Sequence, residues 1–278
     1  GNIITGVRDE GYDGIRIRDG RVNNRIQGNA IFDNAGLGID LSIDGVSTND
    51  TGDADSGANN LQNFPVLTSA TGNFKITILG NLNSLPSRQY TIDFYFNPSK
   101  DQSNYGEGRY WLGSTNIITD VSGNATFQIS FTNPIKLSGY VSATATDTNE
   151  NTSEFGQDIT LTSNVLVDTD SDGLPDEYEL AFGFNPNKAD DSKMDSDNDG
   201  KSNYNEYLDG TNPTDNSDKF ELKIIGYNDS SLSIQFKAIN GVKYTISHAN
   251  RIHGTWINYL TNIVGFNRTL TFSLPSEK

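Results

Sequence analysis

The sequence predicts a mainly β chain built in modules: short stacked coils, an antiparallel β-sandwich, a tandem repeat of acidic loops with short helices, and a small second β-sandwich. Three observations predict it. Apolar and polar residues alternate with period two over many short segments, which is the pattern of half-buried strands. The corners between them carry 27 glycines with abundant Asn, Thr and Ser, a turn-rich composition. Two acidic stretches of like pattern stand 27 residues apart, and an internal repeat signals stacked units. The expected divisions are 1–45 (coils), 46–62 (acidic connector), 63–163 (sandwich), 164–218 (acidic repeat) and 219–278 (small sandwich, read as incomplete).

At the amino end, Gly1-Asn2-Ile3-Ile4 matches Gly28-Asn29-Ala30-Ile31, and Gly14-Ile15-Arg16-Ile17 matches Gly38-Ile39-Asp40-Leu41. Strands this short cannot bury a face alone, so stacking into coils is the expected solution. The pattern through Asn24, Ile26, Gly28, Asn29, Ile31 and Asn34 resembles the rungs of right-handed parallel β-helices of the pectate-lyase-like type. That resemblance spans 1–43 and implies fewer than two rungs, hence the carboxyl-terminal edge of a longer helix in a longer exported protein. Polysaccharide lyases and hydrolases on that fold use clustered Asp with Arg or Lys. Asp13, Asp33, Asp40, Arg16 and Arg18 supply the residue types, but charges on outward rung faces are expected to be solvated.

From 63 to 159 the alternating segments start at Phe74, Tyr90, Asn124 and Tyr140. Their number predicts an antiparallel sandwich of immunoglobulin-like type, with strand exits at Asn97-Pro98 and Asn133-Pro134. The segment from 57–65 through 145–155 resembles a domain that follows β-helices in large bacterial surface proteins. Trp111, Tyr105 and Tyr110 suit either a sugar-stacking platform or core and edge packing, the commoner use of such rings. The β-branched run 158–167 predicts a strand or extended chain.

The acidic repeat follows. Its first loop places Asp168, Asp170, Asp172, Asp176 and Glu179 at positions 1, 3, 5, 9 and 12, with Gly173 at 6. The second places Asp195, Asp197, Asp199, Asn203 and Glu206 likewise, with Gly200 at 6. Side chains at 1, 3 and 5 converge while the glycine turns sharply, and the carbonyls of Leu174 and Lys201 and a distal glutamate complete a shell of hard oxygens. Hard oxygens suit Ca²⁺ rather than a soft metal. Short helices are predicted over 176–182 and 203–209, each stopped by glycine and Asn-Pro. No helix is expected to enter the first loop, which argues against an EF-hand.

These loops resemble the calcium-binding repeats of thrombospondin type 3, over 168–218. By that resemblance the two ligand sets just named hold one Ca²⁺ each, the second more weakly because Asn203 replaces an aspartate. Asp190 and Asp191 stand between the loops as further ligands or as a solvated turn. Asp50, Asp53 and Asp55 in the connector offer a third, weaker Ca²⁺ site or a plain loop, there being no distal glutamate.

Charge is concentrated here. The stretch 168–218 holds twelve Asp and three Glu against three Lys, which is −12 of the formal −16. Without a counter-ion it repels itself, so it is expected to be loose when empty and ordered when filled. Sites of this kind in extracellular modules bind with Kd on the order of 10⁻⁴ to 10⁻³ M.

Beyond the repeat, alternating segments near Phe220, Ser231, Tyr244, Thr255-Trp256-Ile257 and Leu270 predict a small second sandwich, resembling the fibronectin- or immunoglobulin-type modules that follow such repeats. His248 and His253 are the only histidines and have no partner pattern for a metal or catalytic pair. There is no cysteine, hence no disulfide and no thiolate chemistry. No apolar run is long enough to span a bilayer. No nucleophile motif, phosphate-cradling loop or basic patch appears, and the acidity disfavours nucleic acid. The expectation is a non-enzymatic, calcium-stabilised segment of a secreted or cell-surface bacterial protein of spacer or adhesin type. Its partners would be calcium and a surface glycan or protein, and its repeat would fix the angle between its neighbours. The alternative is the accessory carbohydrate-binding tail of a β-helix polysaccharide lyase or hydrolase.

Overall fold

A computed structural model describes residues 1–7, 12–42, 45–228, 231–238, 243–248, 257–264 and 268–275. The chain is mainly β, in several small sheets, and forms two compact units. One comprises Gly1–Thr132 with Leu137–Val165; the other comprises Asn133–Lys136 with Leu166–Lys278.

The first unit begins with four three-residue strands, β1 (Ile3–Thr5), β2 (Ile15–Ile17), β3 (Ala30–Phe32) and β4 (Ile39–Leu41). β1 pairs with β3 and β2 with β4, both in parallel, with Ile3 opposite Ala30 and Ile15 opposite Ile39. These are the registers of the matching tetrapeptides. Close approach of the chains requires Gly14, because a β-carbon there would lie 2.8 Å from the Gly38 carbonyl oxygen. Ile17, Ile26, Ile31, Ile39 and Leu41 form one buried cluster with Tyr95 and Phe155 from the rest of the unit.

Two antiparallel sheets follow. β5 (Val66–Thr71), β6 (Lys75–Asn83) and β9 (Asn124–Thr132) form one, in the order β5-β6-β9. β7 (Gln89–Asn97), β8 (Tyr110–Ile118), β10 (Tyr140–Asp147) and β11 (Ile159–Thr160) form the other, in the order β11-β10-β7-β8. The two face each other through Phe94 of β7, whose ring lies 5.5 Å from those of both Phe127 and Phe131 of β9. Alternation predicts a solvated outer face for β7 and β10, yet Asp93, Ser142, Thr144 and Thr146 are buried. Several segments cover that face: Tyr95 packs on Phe155 and its hydroxyl accepts from Gly28 N, and Ser142 donates to the Glu107 carbonyl. Of the strand or extended chain predicted over 158–167, β11 takes two residues; Leu161 just after it is buried, whereas Val165 is 88% exposed.

Polar residues tie these parts together. Asn151 and Thr152 accept from Asn23 N and Ile26 N, and Asn59 donates to the carbonyls of Asn24 and Thr152. Two buried carboxylates add to this. Glu107 accepts from Asn34 N and Nδ2, and Glu154 accepts from Leu41 N and Ser47 N. Burial pushes both carboxyls up to about 7 from an ordinary 4.5, against the lowering effect of those donors. The folded chain therefore holds each proton to a higher pH than the unfolded chain. Their contribution is full below about pH 4.5 and is lost as pH rises through about 7, by roughly 3 kcal/mol per group. Urea unfolding of the first unit is expected to show stability falling across that window, and Glu154→Gln to flatten the slope. An unchanged slope in Glu154→Gln would remove Glu154 from this account.

The second unit contains α1 (Asp176–Phe182) and α2 (Asn203–Asp209), the two α-helices among the described residues, followed by five strands. β12 (Leu222–Asn228), β13 (Ser231–Ala238) and β16 (Arg268–Pro275) form one sheet, and β14 (Lys243–His248) pairs with β15 (Ile257–Val264). The Phe236 ring joins them, 5.0 Å from Tyr244 and 5.9 Å from Phe272. His248 closes β14, whereas His253, Thr255 and Trp256 lie outside the described residues.

Candidate metal centre

The two acidic loops are built alike. Asp168 Oδ2 accepts from Gly173 N at 3.1 Å, and Asp195 Oδ2 accepts from Gly200 N at 2.9 Å. Asp170 and Asp197 each accept, through Oδ1, from the N–H two residues on. Asp172 Oδ1 takes the N–H of Leu174, and Asp199 Oδ1 that of Lys201, both at 2.8 Å. Each loop has a left-handed residue at position 4, Ser171 and Asn198 (both φ 62°), before its left-handed glycine. Burial is graded identically, from exposed at position 1 through half-buried at 3 and 5 to buried at 12.

Positions 9 and 12 differ in use. Asp176 accepts from Thr169 N at 2.7 Å and Thr169 Oγ1 at 2.6 Å, and Asn203 Oδ1 accepts from Ser196 N at 3.3 Å. Both residues brace position 2 of their loops, a task an amide oxygen performs as well as a carboxylate. Glu179 and Glu206 sit within the helices α1 and α2, fully buried. Each helix ends at a glycine in the left-handed region, Gly183 (φ 82°) and Gly210 (φ 73°).

One carboxylate oxygen from each of Asp168, Asp170 and Asp172 lies within 4.8 Å of the others, as does one from each of Asp195, Asp197 and Asp199. A third group joins Asp172, Glu179 and Asp191 at the same limit. Several carboxylate oxygens of these groups and one of Glu206 are buried with no hydrogen-bond partner. They are Asp170 Oδ2, Asp172 Oδ2, both oxygens of Glu179, Asp191 Oδ1, Asp197 Oδ2, Asp199 Oδ2 and Glu206 Oε2. Unpartnered buried carboxylate oxygens are costly, and burial with the neighbouring aspartates pushes Glu179 up to about 8 and Glu206 up to about 7. A hard divalent cation satisfies such a donor set, and the residues present therefore fit Ca²⁺.

Asp191 is the residue whose place sequence reasoning left open. It is 6% exposed, in a short 3₁₀ turn (Asp191–Lys193), with Oδ2 accepting from Asn185 N at 3.0 Å. Its neighbour Asp190 is exposed. The repeat itself carries a signal: 27 residues on, Asp218 Oδ2 accepts from Asn212 N at 3.2 Å.

The other candidates are engaged elsewhere. Asp50, Asp53 and Asp55 come within 4.8 Å, but Asp53 accepts from Asn63 N, Gln62 Nε2 and Ser84 Oγ, and Asp50 accepts from Ala54 N. Asp13 pairs with Arg16 and accepts from Leu37 N, Asp33 pairs with Arg109 at 3.3 Å, and Asp40 is buried. Trp111 is 49% exposed and donates to Asp93, whereas Tyr110 is buried and Tyr105 lies edge-on to Phe64, so the three rings form no common platform. A groove of about 1120 Å³ in the first unit is bordered by Asp33, Lys100, Asp101, Gln102 and Arg109. No helix among the described residues is long and apolar enough to cross a membrane.

A scan of protein-family models finds none that matches this chain, and a search of curated proteins finds no significant match.

Proposed function

We propose that this chain is a non-enzymatic, calcium-stabilised segment of an extracellular or cell-surface protein of spacer or adhesin type. One observation carries the reading. Two loops of matching hydrogen-bond pattern each bring three aspartates within 4.8 Å of one another and carry buried carboxylate oxygens that have no hydrogen-bond partner. Asp168, Asp170, Asp172 and Glu179 would hold one Ca²⁺, and Asp195, Asp197, Asp199 and Glu206 another. The carbonyls of Leu174 and Lys201 are the proposed backbone ligands, and Asp176 and Asn203 brace the loops. The ion supplies positive charge that turns a self-repelling acidic stretch into a rigid spacer. The parallel registers of β1–β3 and β2–β4 support the end of a right-handed parallel β-helix. The Phe94 contacts support an immunoglobulin-like sandwich after it.

Calorimetric titration with Ca²⁺, paired with limited proteolysis of 168–218 in Ca²⁺ and in chelator, tests this. Two ions with Kd on the order of 10⁻⁴ to 10⁻³ M and strong protection are expected. No uptake, or uptake without protection, would reduce the repeat to a flexible linker. The groove beside Arg109 favours a second reading, an accessory glycan-binding tail. Glycan binding that persists in chelator and is lost in Arg109→Ala would support it.

A further inference from the structure

The two loops are 27 residues apart in sequence, but the second repeat reaches into the first. Asp191 precedes the second loop, yet its Oδ1 is buried without a partner and belongs to the group formed with Asp172 and Glu179 of the first. Both oxygens of Glu179 are likewise buried and unpartnered, and Glu179 itself is wholly inaccessible. Asp172 is common to both acidic groups of the first repeat, and its Oδ2 is the oxygen left over after Oδ1 takes Leu174 N. Two groups that share one residue lie side by side, with Asp172 between the first loop and the pair Glu179 and Asp191.

Besides Asn185 N on its carboxylate, what holds Asp191 in place comes from the second loop. Asn203, fully buried, donates Nδ2 to the Asp191 carbonyl at 2.7 Å, while its N–H goes to Met194 O at 2.7 Å. Its Oδ1 accepts from Ser196 N, inside the second loop. Asn203 thus touches the second loop with one end of its amide and the carrier of Asp191 with the other. Aspartate at 203 could brace Ser196 but has no N–H for Asp191, which gives a physical reason for asparagine here.

We propose, building on the calcium reading, that Asp191 is a ligand of the first ion and that Asn203 positions it, so that the second repeat completes the first site. The first site then gathers five carboxylates and the second four, and ligand charge count raises affinity. An ion in the second loop orders Asn203 and through it Asp191, so filling the second site strengthens the first. By linkage the reverse holds equally.

The test uses the full chain, with Ca²⁺ alone as the probe and calorimetry as the readout. In a background carrying Asp197→Asn and Asp199→Asn, only the first ion remains. There, Asp191→Asn is expected to weaken binding about tenfold, and Asn203→Ala to weaken it although residue 203 lies outside the first loop. In the opposite background, Asp170→Asn with Asp172→Asn, Asp191→Asn is expected to leave the remaining ion within about twofold. Asparagine at 191 retains an oxygen for Asn185 N, and circular dichroism in chelator checks that the variants fold alike. Equal losses in both backgrounds, or none in either, overturn the proposal. No uptake by the unsubstituted chain removes the calcium reading itself, and the proposal with it.

Discussion

The variant Asp170→Asn with Asp197→Asn is expected to change the stability of the acidic repeat in opposite directions with and without calcium. Each substitution keeps the oxygen that accepts the N–H two residues on, so the loop can still turn. Each removes a charge and an unpartnered buried oxygen. In chelator, fewer like charges face one another, and the variant should resist proteolysis as well as the unsubstituted chain or better. In calcium the order reverses. At a hundredfold excess over Kd, each filled site adds about 2.7 kcal/mol, so losing two forfeits about 5 kcal/mol. Cleavage rates within 168–218 in the two conditions measure both effects. Parallel curves, with the variant less stable in chelator and calcium alike, would mean that Asp170 and Asp197 serve only to fold the loops.

That separation of folding oxygens from ion-facing oxygens marks where sequence reading stops. The helix bounds at 176–182 and 203–209 were legible because each is set locally, by Pro175 or Ser202 at one end and a left-handed glycine at the other. The parallel registers were legible because matching tetrapeptides stack on themselves. The acidic spacing at positions 1, 3, 5 and 12 was legible from the sequence alone. The hydrogen bonds of position 9 were not: Asp176 accepts from Thr169 N and Asn203 from Ser196 N. Asp191 was legible only as an alternative, since its main chain is held by Asn203 twelve residues on. Alternation likewise misplaced the outer face of β7 and β10, because Ser142 and Thr146 meet Glu107 and Thr152 on segments outside the two strands, and Thr152 in turn accepts from Ile26 N. Local chemistry is written in the sequence, whereas which polar face is covered is decided by long-range packing.

The second large effect concerns packing rather than charge. Tyr178 of α1 is fully buried, with its ring 4.7 Å from Phe182 and 4.9 Å from Tyr207 of α2. Tyr207 in turn lies 6.5 Å from Tyr204, and Tyr204 covers Gly173, where a β-carbon would come within 2.6 Å of its ring. Rings therefore run from the first helix through the second and back onto the first loop. Tyr178→Ala removes the centre of that chain at an expected cost of about 3 to 5 kcal/mol, whereas Tyr178→Phe keeps the ring contacts and should fall within about 1 kcal/mol of the unsubstituted chain. The repeat of the alanine variant should be cleaved at calcium levels that protect the native one. Unlike a ligand defect, this loss can be offset by mass action. Two intact sites regain about 2.7 kcal/mol for each tenfold rise in calcium, so protection should return at roughly thirtyfold higher calcium. Equal protection of Tyr178→Ala and the native chain at low calcium would show that the ions alone hold the repeats together. Failure to recover at any calcium level would show that the rings shape the sites themselves.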